Sequence, residues 1–192
     1  MALRYAVGVS RAGQAASSDL CTVAPSTAAD AEAIRAIAGA AWRATYAGLI
    51  SPEACDRYVE RAYGIQWLAE LHGRGDVRGF LAREQGRAVG FAMLSLGSPA
   101  DDPPGAVLRS LYLDPACQGR GLGARLLEAV RQAAEAAGEP CLWVAVHEDL
   151  AAARRWYEAH GFVYDGPASS SIGGEKIQQA VYRLPLASAA AR

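Results

Sequence analysis

Gln118-x-x-Gly121-x-Gly123 is the segment of this chain whose residue types and spacing point most directly to chemistry. It sits in Cys117-Gln118-Gly119-Arg120-Gly121-Leu122-Gly123, after an apolar run from Val107 to Leu113 closed by Asp114-Pro115. A helical pattern led by Leu122, Leu126 and Leu127 follows it. A strand that hands a glycine-spaced turn to a helix N-terminus makes a seat for a phosphorylated ligand. The first N–H groups of a helix have no intrahelical acceptor, and the helix dipole adds about half a positive charge there. Three glycine motifs compete for this reading. A dinucleotide fingerprint needs three glycines in G-x-G-x-x-G spacing, which is absent, and a nucleotide P-loop needs a Lys-Ser/Thr pair after the glycines, also absent. The third candidate is the pyrophosphate loop of an acyl-CoA enzyme.

Two other side chains sit where protons could move. His147 ends an apolar run from Cys141 to Val146, at the strand end where α/β sheets place ligands, and imidazole is the side chain suited to proton traffic near neutral pH. It is equally a polar residue that terminates a strand. Tyr157 stands between Trp156 and Phe162; those two suit packing, whereas a buried phenol needs a partner for its polar end.

These residues require a frame of strands and helices. Cys21 to Ala24 reads as a short strand, and Thr27-Ala28-Ala29-Asp30 as a capping box opening a helix through about Ala40. Ser51-Pro52-Glu53 supplies a cap, a first-turn proline and an early acid for a second helix through about Leu71. Val77 to Arg83 and Ala88 to Leu96 flank Glu84-Gln85-Gly86-Arg87, a hairpin signal. Gly97 to Gly105, with three prolines, reads as a surface loop. The helix after the glycine loop runs from 121 to 137 and stops at Gly138, with Pro140 beyond. Cys141 to Val146 is a strand, Leu150 to Ala159 a helix, and Gly161 to Tyr164 and Lys176 to Leu184 are late strands. That order predicts one mixed α/β sheet covered by helices, with the strand at Cys141 the parallel neighbour of the strand carrying Leu111.

Composition agrees with a single domain over residues 20–186, preceded by a flexible extension (1–19) and followed by a flexible tail (187–192). Of 192 residues, 52% are hydrophobic and 20% charged, with a formal net charge of −1. The basic excess of a nucleic-acid binder is missing, and no segment reaches the roughly 18 apolar residues of a membrane span. Cys21, Cys55, Cys117 and Cys141 fall in no metal-ligand spacing and read as reduced thiols of a cytoplasmic protein. No metal is expected.

Gln118-x-x-Gly121-x-Gly123 resembles the acyl-CoA pyrophosphate motif, Gln/Arg-x-x-Gly-x-Gly/Ala, of the GCN5-related N-acetyltransferase (GNAT) superfamily. Leu111-Tyr112-Leu113-Asp114-Pro115 before it is similar to that family's fourth strand. Trp156-Tyr157-Glu158-Ala159-His160-Gly161-Phe162 after it is similar to the aromatic-Tyr-Glu-x-x-Gly-Phe segment. The three occur in the family's order, with separations that fit one helix and one strand. The resemblance covers roughly Cys21 to Leu186.

The resemblance implies the GNAT fold and an N-acetyltransferase that moves an acetyl group from acetyl-CoA to a primary amine in a ternary complex, without an acyl-enzyme. Backbone groups of Gln118, Gly119, Arg120, Gly121, Leu122, Gly123 and Ala124 would hold the pyrophosphate. Gly121 and Gly123 would allow close approach, and Arg120 or Arg125 would add charge. The strand at Leu111, Tyr112 and Leu113 would part from its neighbour, take the pantetheine arm and offer an N–H to the acetyl carbonyl. Tyr157 would protonate the departing thiolate. Two positions depart from the family: Leu150 stands where many members have Asn, with Asp149 as the substitute cap, and Val107 where many have the Glu base. Base candidates are therefore His147, Glu148, Glu53 and Asp56. Cys117 lacks the base and orienting partner of a nucleophile. Trp42 and Tyr46, with Arg43, Thr45 and Leu49, would line the acceptor entrance, flanked by a loop from Gly166 to Glu175; their spacing of four also fits one face of a core helix. The acceptor would be a small molecule or a peptide N-terminus. A non-catalytic acetyl-CoA sensor is the alternative, and a homodimer is expected through the last strand as an edge, near Tyr182.

Overall fold

The computed structural model describes residues 21–97 and 104–187. The extension at 1–19, most of the proline-rich loop and all but the first residue of the C-terminal tail lie outside the described residues.

The chain runs β1 (Cys21–Pro25), α1 (Ala31–Thr45), α2 (Pro52–Ala62), α3 (Ile65–His72), β2 (Val77–Glu84), β3 (Arg87–Ser95), β4 (Ala106–Leu113), α4 (Leu122–Ala136), β5 (Cys141–His147), α5 (Ala151–Ala159), β6 (Val163–Ile172) and β7 (Glu175–Pro185). The strands form one seven-stranded sheet in the order β1-β2-β3-β4-β5-β7-β6. β4 and β5 run parallel, and all other neighbours run antiparallel. The apolar residues of α4, with Ala153 and Tyr157 of α5, pack on one face around Leu111, Leu113, Val144 and Val146. Helices α1 to α3 cover the other, where Trp42, Tyr46, Tyr58, Tyr63, Phe91 and Tyr112 form a largely aromatic core. The mixed α/β sheet flanked by helices is the architecture the element order implied.

Local chemistry explains most boundaries. Asp30 accepts from the Thr27 N–H at 2.9 Å, closing the capping box ahead of α1. The β2–β3 turn has Gln85 at φ 49° and Gly86 at φ 82°, the paired positive values of a two-residue hairpin turn whose twist matches the strands. Helix α4 stops at Gly138 (φ 77°), where the Glu139 N–H reaches back to the Ala134 carbonyl.

Four expectations need correction. Helix α1 runs to Thr45 rather than Ala40, because no breaker follows Ala40 and Trp42 and Tyr46 have a core to fill. The second helix is two. Gly64 takes an extended ψ of 138° as the cap of α3, and the break turns Tyr63 inward to a 2.8 Å hydrogen bond with Ser110 Oγ on β4. The stretch from Gly166 to Ile172 is not a loop but most of β6. Its irregular register between Tyr164 and Gly166 absorbs Gly166 at φ 143°, and the only turn is Gly173-Gly174. Finally, β7 is an interior strand between β5 and β6, and Tyr182 is fully buried. The sheet edge on that side is β6, so Tyr182 cannot sit at an edge-to-edge contact between copies.

Candidate active site at the parted strands

The parallel ladder between β4 and β5 consists of two registered pairs, Ala106↔Leu142 and Val107↔Trp143. Beyond Val107, β4 stays paired with β3 through Leu113, and β5 stays paired with β7 through His147. The sheet therefore divides into two halves that meet at the strand beginnings and separate toward the strand ends. On the β5 side, the backbone of Leu111, Tyr112 and Leu113 has no strand partner. Unpaired backbone inside a sheet is costly unless something else fills its hydrogen bonds, and the C-terminal ends of parallel strands are where α/β sheets bind ligands.

The glycine loop stands over that opening. Asp114 accepts from the Ala116 N–H at 3.0 Å to cap a short 3-10 turn, Pro115–Cys117. Arg87 pins the turn from β3, donating to Asp114 at 2.9 Å and to Cys117 Sγ at 3.3 Å. The Arg87 guanidinium, aided by the Ala116 N–H, holds the Asp114 carboxyl below the usual carboxylate range. Gly119 and Gly121 both have φ 77°, a region L side chains enter only with strain. Gly121 is the N-cap of α4: it has no side chain to cap with, the first turn holds no acid, and a Cβ there would meet open space within 4 Å. The N–H groups of Leu122, Gly123 and Ala124 precede the first i to i−4 bond, which runs from Arg125 to Gly121. They are available to an anion. Next to Gln118 lies a cavity of about 400 Å³, walled by Ala44 and Thr45 of α1, Pro115, and Leu150 and Ala153 at the start of α5.

Two loop residues behave differently from expectation. Gly123 is buried, and a Cβ there would face Trp156 Cζ2 at 3.4 Å and Leu113 and Leu111 beyond it. It lets α4 sit close to Trp156 and the strand and does not hold open the ligand side. Arg120 donates to both carboxylate oxygens of Glu84, at 3.0 and 3.2 Å, and to the Ala116 carbonyl. Its guanidinium is tied to the β2–β3 hairpin.

Tyr157 lies in the same apolar cluster as Leu111, Leu113, Leu122 and Val146. Its ring meets Trp156 and Phe162 edge-on, at centroid distances of 5.0 and 5.2 Å. The residue is completely buried, and its hydroxyl has no hydrogen-bond partner. Burial alone drives its pKa well above the ordinary phenol value. An orphaned buried hydroxyl is expensive, and Tyr157 shares that state with Tyr46 in the aromatic core. By contrast, the Tyr182 hydroxyl donates to Glu158 at 2.9 Å and accepts from Arg154 at 3.0 Å.

His147 closes β5 and is nearly buried, with its ring edge-on to Tyr46 at a centroid distance of 6.1 Å. Its Nδ1 accepts the Asp149 N–H at 3.2 Å. That bond places the ring proton of the neutral form on Nε2, and the Asp149 carboxylate lies 3.9 Å from the same Nδ1. Trp42 and Tyr46 are both buried, and Trp42 stacks between Tyr46 and Tyr58 at 4.4 and 4.3 Å. Neither is open to solvent. The Tyr46 phenol leans toward Tyr112 closely enough to feel it electrostatically, but the two hydroxyls do not reach hydrogen-bond geometry. Asp56 pairs with Arg43 at 3.3 Å on the outer face of α1 and α2, away from the parted strands. Glu53 is exposed on the first turn of α2, and the Glu148 N–H is spent on the Gln178 carbonyl.

Sequence reading missed the contacts that bring the β6–β7 turn onto α2. The Ser51 hydroxyl and N–H both reach the Glu175 carboxylate, and Arg57 donates twice to the Gly173 carbonyl, at 3.0 and 2.7 Å. Pairs separated by more than one hundred residues leave no local signal. Among the described residues no group of three His, Cys, Asp or Glu side chains gathers as a metal site would, and no helix is long and apolar enough to cross a membrane.

The comparisons with known proteins agree with this geometry. Residues 36–162 match the Acetyltransferase (GNAT) family. An uncharacterized N-acetyltransferase of Mycobacterium tuberculosis is 28% identical over 144 residues, covering 75% of this chain and 90% of its own. Among solved structures, the PaiA N-acetyltransferase of Thermoplasma acidophilum in complex with coenzyme A superimposes with a TM-score of 0.73 at 20% identity, over 86% of this chain and 98% of that one. The ribosomal-protein-S18-alanine N-acetyltransferase of Escherichia coli gives 0.65 at 23% identity, over 88% and 96%. With the family match spanning most of the chain and the parted β4–β5 ladder set below a glycine-capped helix, the protein belongs to the GNAT family of acetyltransferases.

Proposed function

We propose that this protein transfers the acetyl group of acetyl-CoA directly to a primary amine, on a small molecule or a peptide N-terminus, within a ternary complex. The reading is carried by the β4–β5 ladder that ends after two pairs and leaves Leu111 to Leu113 without partners on that side. Acetyl-CoA fits the residues present. The uncapped start of α4, with Gly119 and Gly121 backbone in left-handed conformation, suits a pyrophosphate. The parted strands suit an extended amide-bearing arm, and the dry, unpartnered Tyr157 hydroxyl suits a sulfur. Bound there, acetyl-CoA supplies an activated acyl group and a thiolate leaving group.

The protein's own contribution is then positioning and charge stabilisation. Strand β4 offers N–H groups from Leu111 to Leu113 to the acetyl oxygen, fixed in place before reaction. Holding amine and acyl donor together supplies much of the rate. Tyr157 keeps its proton across the working range because burial raises its pKa, and it donates that proton toward the sulfur as charge develops there. Full transfer from a raised phenol to an ordinary thiolate is uphill, since the reference values are about 10 and about 8.5. The hydrogen bond itself therefore does most of the stabilising, and the same dry cleft raises the proton affinity of the sulfur. His147 positions the turn into α5 through Asp149; the acceptor enters as a neutral amine, and the proton it loses on forming the amide passes to solvent, while the departing sulfur is protonated to the free thiol. A peptide N-terminus, with a reference pKa of about 8, meets that condition more readily than a lysine at about 10.4.

Thiol release on incubation with acetyl-CoA and a panel of primary amines tests the proposal. Amine-dependent release is expected. Tight acetyl-CoA binding without release across the panel would instead favour a sensor module, a reading motivated by Val107 at the strand position of the family's base.

A further inference from the structure

A second cleft, of about 410 Å³, opens between the helical layer and the sheet. Tyr58 and Arg61 of α2, Tyr63 and Trp67 line it from above, and Arg109 and Ser110 of β4 from below. Aliphatic side chains, Ala62, Leu68, Leu71 and Met93, fill the rest of its wall, and among the described residues none of the lining is acidic. A volume of this size suits a small molecule. Its place in the fold ties it to the parted strands: Ser110, fixed by Tyr63 at 2.8 Å, directly precedes Leu111 on the part of β4 that has lost its β5 partner.

Arg61 is the distinctive group. Its guanidinium lies over the Tyr58 ring at 5.8 Å from the centroid, and among the described residues no carboxylate pairs with it. Most other arginines around the helical layer are neutralised: Arg35 by Glu60, Arg43 by Asp56, Arg74 by Asp76 and Arg83 by Asp30. Arg109 is held against the floor by a 3.0 Å bond to Ser95 Oγ. Trp67 is 40% exposed, a large ring left open beside a cationic group. A guanidinium held over an aromatic ring keeps its N–H fork for a carboxylate, and exposed aromatic surface favours an apolar or aromatic body.

We propose that this cleft is the acceptor pocket and that it selects a primary amine that also carries a carboxylate on an aromatic or apolar body. Arg61 takes the carboxylate, Tyr58 and Trp67 take the body, and the amine is directed past Ser110 toward Leu111. The assignment rests on the acetyl-transfer reading, which it deepens by naming the acceptor class.

Phenylalanine and phenethylamine share a body and an amine and differ in the carboxylate, so they form the test pair, with Arg61→Gln and Trp67→Phe as variants. Two readouts are taken in parallel: the ratio of kcat/KM for the two amines, and tryptophan fluorescence on titration of each amine with coenzyme A present. Using the ratio within each protein cancels the different basicity of the two amines. Wild type is expected to prefer phenylalanine, with saturable quenching that Trp67→Phe removes. Arg61→Gln is expected to cut the preference about 10-fold through KM, with kcat retained, because one charge-assisted contact is lost. Arg61 is solvent-exposed, so an unchanged thermal midpoint identifies a folded variant. Equal handling of both amines by wild type, or an equal loss of both in Arg61→Gln, would overturn the assignment while acetyl transfer stood. Arg61-dependent binding of phenylalanine without thiol release, while other amines of the panel do release thiol, would show a carboxylate-binding cleft that is not the acceptor pocket and would overturn the assignment; no release with any amine would refute acetyl transfer itself.

Discussion

Replacing Tyr157 by Phe removes one oxygen and should move stability and activity in opposite directions. In the ligand-free protein the hydroxyl is dry and unpartnered, so the folded state carries a desolvation penalty that the unfolded chain does not. An unsatisfied buried polar group costs about 1–3 kcal/mol, and the variant should gain about that much. In a domain of this size each kcal/mol moves the midpoint by about 2–4 °C, giving a rise of about 2–12 °C without ligand. Acetyl transfer loses its donor to the sulfur, and general-acid contributions run about 100-fold or more, so kcat should fall about 100-fold, roughly 2.7 kcal/mol of barrier. Affinity for acetyl-CoA should change less than about threefold, since the bond strengthens chiefly as charge develops on sulfur. Differential scanning calorimetry of both proteins without ligand, thiol-release kinetics and calorimetric titration with acetyl-CoA measure the three quantities. A variant that is less stable than wild type would refute the orphaned-hydroxyl argument. One that turns over at the wild-type rate would refute the role at sulfur.

The two glycines at the start of α4 should separate cleanly. Gly121→Ala adds a side chain into open space at φ 77° and should cost about 1 kcal/mol of stability while weakening acetyl-CoA binding, whereas Gly123→Glu drives a carboxylate at Trp156 and should destabilise the fold itself; thermal melts beside calorimetric titrations decide between them. His147→Asn keeps an acceptor for the Asp149 N–H and should retain most activity with a wild-type pH profile, while His147→Ala should lose stability. An Asn variant devoid of activity would return His147 to the base position. Asp114 has a depressed folded pKa, so its contribution is complete above its unfolded value of about 3.9 and is lost as pH falls through the folded value. Asp114→Asn should therefore cost about 1 kcal/mol at pH 7 and show a shallower loss of stability below about pH 4; parallel acid-unfolding curves for the two proteins would contradict this.

Features with short-range causes were legible in the sequence. The hairpin at Gln85-Gly86, the stop at Gly138, the strand-loop-helix unit around Gln118 to Gly123 and the aromatic pair Tyr157 and Phe162 each follow from residues a few positions apart, acting through φ, capping and dipole. Gly64 shows where such reasoning thins. An isolated glycine inside a helical pattern is tolerated as often as not, and it ended α2 here because Tyr63 could turn inward to Ser110, forty-seven residues away. The stretch expected as a loop from Gly166 to Glu175 holds Gly166-Pro167, and an edge strand, with one side unpaired, accommodates both residues. Likewise, Trp42 and Tyr46 satisfied an entrance and a core equally by spacing, and the stacking on Tyr58 settled them in the core.

What the sequence by itself determined is the order of elements, the glycine-capped start of α4 and the chemical types gathered near it, since backbone sterics and helix-end hydrogen bonding act locally. Tertiary structure alone decided that β4 and β5 part after Val107, that the Tyr157 hydroxyl is left dry, that Gly123 serves packing and Arg120 serves Glu84, and that β7 is interior. Each of those depends on which distant surfaces meet, and desolvation and pairing between remote segments exist only once the sheet has closed around them.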